Sequence, residues 1–153
     1  MNYSGDKIYL AFLWHHHQPY YRDTATGEFW LPWVRLHGIK DYYGMAALLR
    51  EFPNIKATIN LVPSLLKQLQ EYLDGGWDRG LYLGRKPVND LSDTDKQFLL
   101  DNLFMAHPKN MIGRHPRYNE LFQKCQRLKT PGAVKDFTDH DFIDLVVLAN
   151  LAW

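Results

Sequence analysis

The sequence predicts an α/β fold, and three observations carry that reading. Residues 7–14 (KIYLAFLW) form a continuous apolar run rich in β-formers. A second such run, KATINLV over 56–62, follows a helical stretch. After Gly76 no convincing strand can be read, and helical patterns take over. Two strands joined through a helix, followed by another helix, imply a right-handed parallel crossover.

In the first run, Ile8, Leu10, Phe12 and Trp14 share one face of the pleat, and Tyr9, Ala11 and Leu13 share the other. Both faces are apolar, so the run reads as a strand buried on two sides, as in a parallel sheet. It stops at His15-His16-His17-Gln18-Pro19, because Pro19 lacks the N–H a ladder needs. Residues 20–37 read as a loop, with turn chemistry at 23–27 and the aromatic stretch Phe29-Trp30-Leu31-Pro32-Trp33. A loop of that length inside a compact domain is usually functional.

Residues 38–52 read as a helix, with Tyr42, Met45, Leu49 and Phe52 at helical spacing and Pro53 closing it. Ser64–Leu73 is a second helix, stopped by Gly75-Gly76. Ser92 with Asp95, and Thr138 with Asp141, are capping-box pairs that open two later helices. The first carries Phe98, Leu99, Leu103 and Phe104, and the second, Asp139–Trp153, carries Phe142, Leu145, Val146 and Ala149. Pro116–Leu128 is a shorter helix between them. The division into domains is expected at 1–76, holding the β-α-β-α units, and 77–153, a helical insertion. The ending at Leu151-Ala152-Trp153 is apolar and has no glycine cap or terminal basic residue. Together with a sheet of only two strands, it predicts a piece of a longer protein.

Composition excludes several classes. The chain has 153 residues, the length of one ordinary domain, with 46% hydrophobic and 23% charged residues, which is not the composition of disorder. A net charge of +1 supplies no field for nucleic acid or an anionic membrane. One cysteine, Cys125, excludes an internal disulfide framework and a cysteine-based zinc site. No signal peptide and no apolar run near the ~20 residues of a spanning helix can be read, so a soluble, cytoplasmic protein is expected. Aromatic residues reach 14%, and 11 of the 22 fall in the first 45 positions. At that density they fill cores, and they also build platforms for sugars.

The histidine cluster is the candidate site, because functional groups collect at the C-terminal ends of parallel strands. If the extended path continues past Trp14, His15 and His17 point to one side and His16 to the other. Three readings compete. Imidazoles and the Gln18 amide both donate and accept hydrogen bonds and suit a polyhydroxylated ligand. H-x-H is also a metal-ligand spacing, with Asp41 or His37 as further ligands. Finally, the three are surface or structural histidines beside a turn. His37 either reaches back over the strand ends or decorates a helix start. Trp30 and Trp33 stack on sugars or cover the loop. Asn60, inside the second strand, bonds a ligand or the neighbouring backbone. No Asp or Glu directly follows either strand, so no pair of acid and base carboxylates is apparent.

The stretch Tyr9–Tyr21, built around His15-His16-His17-Gln18-Pro19, resembles the first signature of glycoside hydrolase family 57. Residues 31–37 (LPWVRLH) and 40–45 (KDYYGM) resemble the segment after it, and 56–66 (KATINLVPSLL) the second strand and helix. The three blocks occur in order, and the resemblance covers most of 1–76 and, more weakly, the rest. It implies the N-terminal part of an incomplete (β/α)7 barrel with a helical insertion. It further implies a retaining enzyme acting on α-glucans or oligosaccharides, of the α-amylase, amylopullulanase or 4-α-glucanotransferase group, needing no metal or other cofactor. The H-x-H pair lines the substrate cleft in that family, which carries sugar binding to His15 and His17. Gln18, Trp33, His37 and Asn60 are weaker carry-overs to the same role. The family's catalytic Glu and Asp lie on later strands, and no residue of this chain matches them. Retaining hydrolysis needs two carboxyl groups about 5–5.5 Å apart, so no activity is expected from these residues alone. A non-catalytic carbohydrate-binding or assembly module and a metal-dependent polysaccharide deacetylase-like barrel are the alternatives.

Overall fold

The computed structural model describes residues 8–128 and 133–153. These residues form two compact units: 8–20 with 33–74, and 21–32 with 75–128 and 133–153.

The first unit holds a two-stranded parallel sheet. Strand β1 is Leu13–His16 and strand β2 is Thr58–Leu61, with Leu13 opposite Thr58 and His15 opposite Asn60. Two further bonds extend the ladder, from Thr58 N–H to Phe12 C=O and from Val62 N–H to His16 C=O. β1 is therefore shorter than residues 7–14 and lies further along the chain, taking in His15 and His16. Lys7, at the start of the expected strand, lies outside the described residues. Ile8, Tyr9 and Leu10 have no strand partner and are exposed, Ile8 at 98%. Pairing made the difference: β-propensity marks a fit to a neighbouring strand, and β2 reaches only as far back as Phe12.

The expected burial on two faces also fails. Phe12 and Trp14 line an apolar cavity of about 290 Å³ with Leu48, Leu49 and Phe52 of the following helical stretch. On the other face Leu13 is 67% exposed, and His15, Thr58 and Asn60 are exposed. Among the described residues only one side of the sheet is packed against helix.

The helix between the strands begins earlier than residue 38. α1 (Trp33–His37), a π-helical turn (Gly38–Tyr42) and α2 (Tyr43–Glu51) run on without a break. The loop expected over 20–37 thus ends at Pro32. Val34 and Leu36 bury the start of this helix. The signal for it was Pro32, which suits the entrance of a helix. α3 (Pro63–Leu73) follows β2 with Pro63 at its first position. Beyond the α3 cap, Gly75 takes φ +96°, the left-handed conformation that ends a helix. Gly38 lets the π-turn approach α3: a Cβ there would sit 3.1 Å from Leu69 Cδ2.

The second unit is helical. α4 (Arg79–Gly84), absent from the sequence reading, starts at Asp78, whose buried carboxylate accepts the Leu81 N–H at 2.9 Å. α5 (Asp93–Asn102) and α7 (Asp139–Ala152) open on the expected capping boxes at Ser92/Asp95 and Thr138/Asp141. Leu103 caps α5, and Phe104 lies past its end. α6 spans Pro116–Leu128. Leu99, Ile112, Tyr118, Leu121, Phe142 and Leu145 are fully enclosed in one core. No strand occurs in this unit among the described residues; Phe29 makes isolated bridges to Arg22 and Asp78. No helix of the described residues is long and apolar enough to cross a membrane.

Candidate functional site

The C-terminal ends of β1 and β2 present the polar groups of the first unit. Alternation along β1 sends His15 and His17 to the open face, where their rings stack with centroids 5.7 Å apart and planes at 12°. In a parallel pair, residues opposite each other share a face, so the Asn60 amide stands beside His15. Three side chains able to donate and accept hydrogen bonds thus line an exposed surface.

His16 turns the other way. It is buried against the Tyr42 ring, centroids 4.5 Å apart, and its Nε2 is enclosed without a hydrogen-bond partner. The π-turn carries Tyr42 to this position. The Tyr42 hydroxyl accepts a hydrogen bond from Gln18 Nε2 at 3.0 Å and approaches the His17 carbonyl at 3.5 Å. Gln18, expected to serve the ligand, is therefore tied to the helix.

α3 holds the chain leaving β1. Ser64 Oγ donates to the Gln18 carbonyl at 2.7 Å. The buried Gln68 side chain donates to the Pro19 carbonyl at 2.7 Å and to the Ser64 carbonyl at 2.9 Å. Tyr20 donates to the buried Glu71 carboxylate at 2.9 Å, with Lys67 3.4 Å from the same group. Backbone carbonyls of a strand-end loop are thus satisfied by side chains, which aligns the histidines.

His37 and Trp33 lie on the helix start, with rings 6.0 Å apart, and His37 is 6.3 Å from Tyr42. His37 Nδ1 stands 2.5 Å from Asp41 Oδ2. A carboxylate only accepts, so this contact puts a ring proton on Nδ1. The two residues that the sequence offers as extra metal ligands therefore bond each other. Among the described residues no three His, Cys, Asp or Glu side chains gather into a group able to hold a metal ion.

The structure brings His15, His17 and Asn60 onto one face, and places Gln18 and His37 beside Tyr42, with Trp33 next to His37. Sequence reasoning missed Tyr42, Ser64, Gln68 and Glu71 as positioning groups. In the sequence Tyr42 reads as part of an apolar stripe with Met45, Leu49 and Phe52. Ser64, Gln68 and Glu71 could have been flagged as polar positions on the side of α3 that carries Leu65.

No curated protein and no solved structure gives a significant match to the chain. The family model described as glycosyl hydrolase family 57 matches residues 11–146, a span that, among the described residues, takes in β1, β2, the histidine cluster and α1 to α6 completely. On that match the chain belongs to glycosyl hydrolase family 57.

Proposed function

We propose that this chain supplies the sugar-binding wall of an α-glucan-active glycoside hydrolase or glucanotransferase, as the opening units of an incomplete (β/α)7 barrel. The observation that carries the reading is the pair of stacked imidazoles, His15 and His17, beside Asn60 on the open face of a parallel sheet. Each group both donates and accepts, which matches vicinal hydroxyls, and no charge selects against a neutral ligand. His37 is held by Asp41 and Gln18 by Tyr42, so these two shape the rim while His15, His17 and Asn60 meet the ligand. The general acid and nucleophile come from residues outside this chain. Two carboxylates of the first unit are engaged instead: Asp41 with His37, and Glu71 with Tyr20.

The test is retention of the purified chain in gels containing amylopectin. The H15A/H17A double variant is expected to lose most of its retention, about tenfold or more in apparent affinity if two hydrogen-bonding groups go. Unchanged retention of that variant removes the reading. Release of reducing sugar from maltooligosaccharides by the 153-residue chain is expected to be absent; measurable release would place the chemistry within these residues.

A further inference from the structure

We propose that Trp30 is a second sugar-binding platform, an aromatic surface for the apolar face of a pyranose ring; this rests on the α-glucan reading above and extends it to the second unit. Trp30 is 72% exposed, yet it is not a loose side chain. Its indole interacts with the Asp23 carboxylate and favours the charged form of that group. Its backbone N–H bonds the Tyr21 carbonyl at 3.0 Å. The residue before it, Phe29, is completely buried and anchors the segment with bridges to Arg22 and Asp78.

The loop that carries it is cross-tied throughout. Asp23 N–H bonds the Glu28 carbonyl at 2.9 Å, and Gly27 N–H bonds the Asp23 carbonyl at 2.8 Å. The Asp23 carboxylate also accepts the Ala25 N–H at 2.7 Å, and Arg22 Nε donates to the Gly27 carbonyl at 3.0 Å. Gly27 takes φ +76°, which closes the turn without strain. The Ala25 backbone bond leads the interactions that hold the Asp23 carboxyl below the usual carboxylate range. The carboxylate stays charged at neutral pH and so keeps its interaction with the indole.

Exposing an indole to water has a free-energy cost, and fixing it by its polar edge costs further side-chain freedom. A ligand that stacks on the ring offsets the first cost, and the fixed ring has less freedom left to lose on binding. The polar edge of the indole is already engaged by Asp23, so what the residue offers is its flat apolar surface. Among neutral polyhydroxylated ligands, a pyranose supplies the matching C–H face.

The experiment compares wild type, W30A, W30F and D23A with H15A/H17A by retention in amylopectin gels, with a thermal melt of each. W30A is expected to weaken retention about three- to tenfold with an unchanged melting temperature, and W30F to recover part of it. D23A keeps the ring but frees it, and its loss is expected to be smaller than that of W30A. Wild-type retention that W30A leaves unchanged, while H15A/H17A abolishes it, overturns this inference alone. No retention of the wild type overturns both this inference and the α-glucan reading. W30A weakened no more than its own loss of melting temperature explains also counts against the platform, and equal loss in W30F then assigns Trp30 to the fold.

Discussion

In the helical unit Leu99, Leu121, Phe142 and Leu145 are wholly removed from water, whereas in the strand unit Leu13, on the open face of the sheet, is 67% exposed. The helical unit closes a core from α5, α6 and α7 with two capping boxes and an ion network around Arg117. The strand unit spends side-chain hydrogen bonds on the loop after β1 instead, and leaves one face of its sheet open. The difference teaches where stability and recognition lie in this chain. Apolar closure stabilises the helices, while the residues offered to a ligand sit where closure is missing.

The comparison breaks most strongly at Phe142. Phe142→Ala removes a fully enclosed ring and should cost about 3–5 kcal/mol, read as a large drop in melting temperature. A small drop would mean that the helical core is not closed as described.

Next comes pH. Burial pushes the Asp141 carboxyl up, but hydrogen bonds from Lys124, the Thr138 backbone and Arg117 outweigh it and hold the group at about 2. A folded value below the ordinary carboxylate value gives stability that is present above the ordinary value. That stability is lost as pH falls from near 4 through about 2. The contribution is about 2 kcal/mol. Asp141→Asn should flatten the stability curve across that window, measured by denaturant unfolding at pH 2 to 5. An Asp141→Asn curve that keeps the wild-type slope would assign the acid sensitivity to another group. The Arg117 partners, Asp144 at 2.8 Å and Glu120 at 2.9 Å, remain in that variant.

The smallest effect sharpens the other side of the comparison. Tyr42→Phe removes the acceptor for Gln18 and keeps the ring against His16. It should cost about 1 kcal/mol or less in stability. Retention in amylopectin gels should weaken along with it, because Gln18 and the His17 backbone lose their tie. A variant that melts earlier but binds as well as wild type would make Tyr42 a residue of the fold and not of the site.

Local signals were the ones most legible in the sequence. The capping boxes at Ser92 and Thr138 are hydrogen-bonding patterns spanning three residues, and both form as read. The opposite facing of His15 and His16 needs only the period of a strand, and it holds. What depended on distant partners was misread. The length of β1 is set by the reach of β2, and the exposed Leu13 follows from which side of the sheet a helix covers. Trp33–His37 looked like loop because the aromatic run hides a start that Val34 and Leu36 secure by burial. Gln68 escaped notice because its role, bonding the Pro19 carbonyl, joins positions 49 residues apart.

The wide turn at Gly38–Tyr42 divides one continuous helix into two whose rotation about the axis is set separately. An ordinary α-helix turns about 100° per residue, so its faces are all phased by its first turn. Here the extra residue breaks that phase. α1 can seat Val34 and Leu36 in the interior without dictating which side α2 turns to the sheet. Tyr42, at the end of the wide turn, is the last residue before the new phase begins. The wide turn thus joins two helical segments of different phase, and the residue that closes it is the one that touches His16 and Gln18.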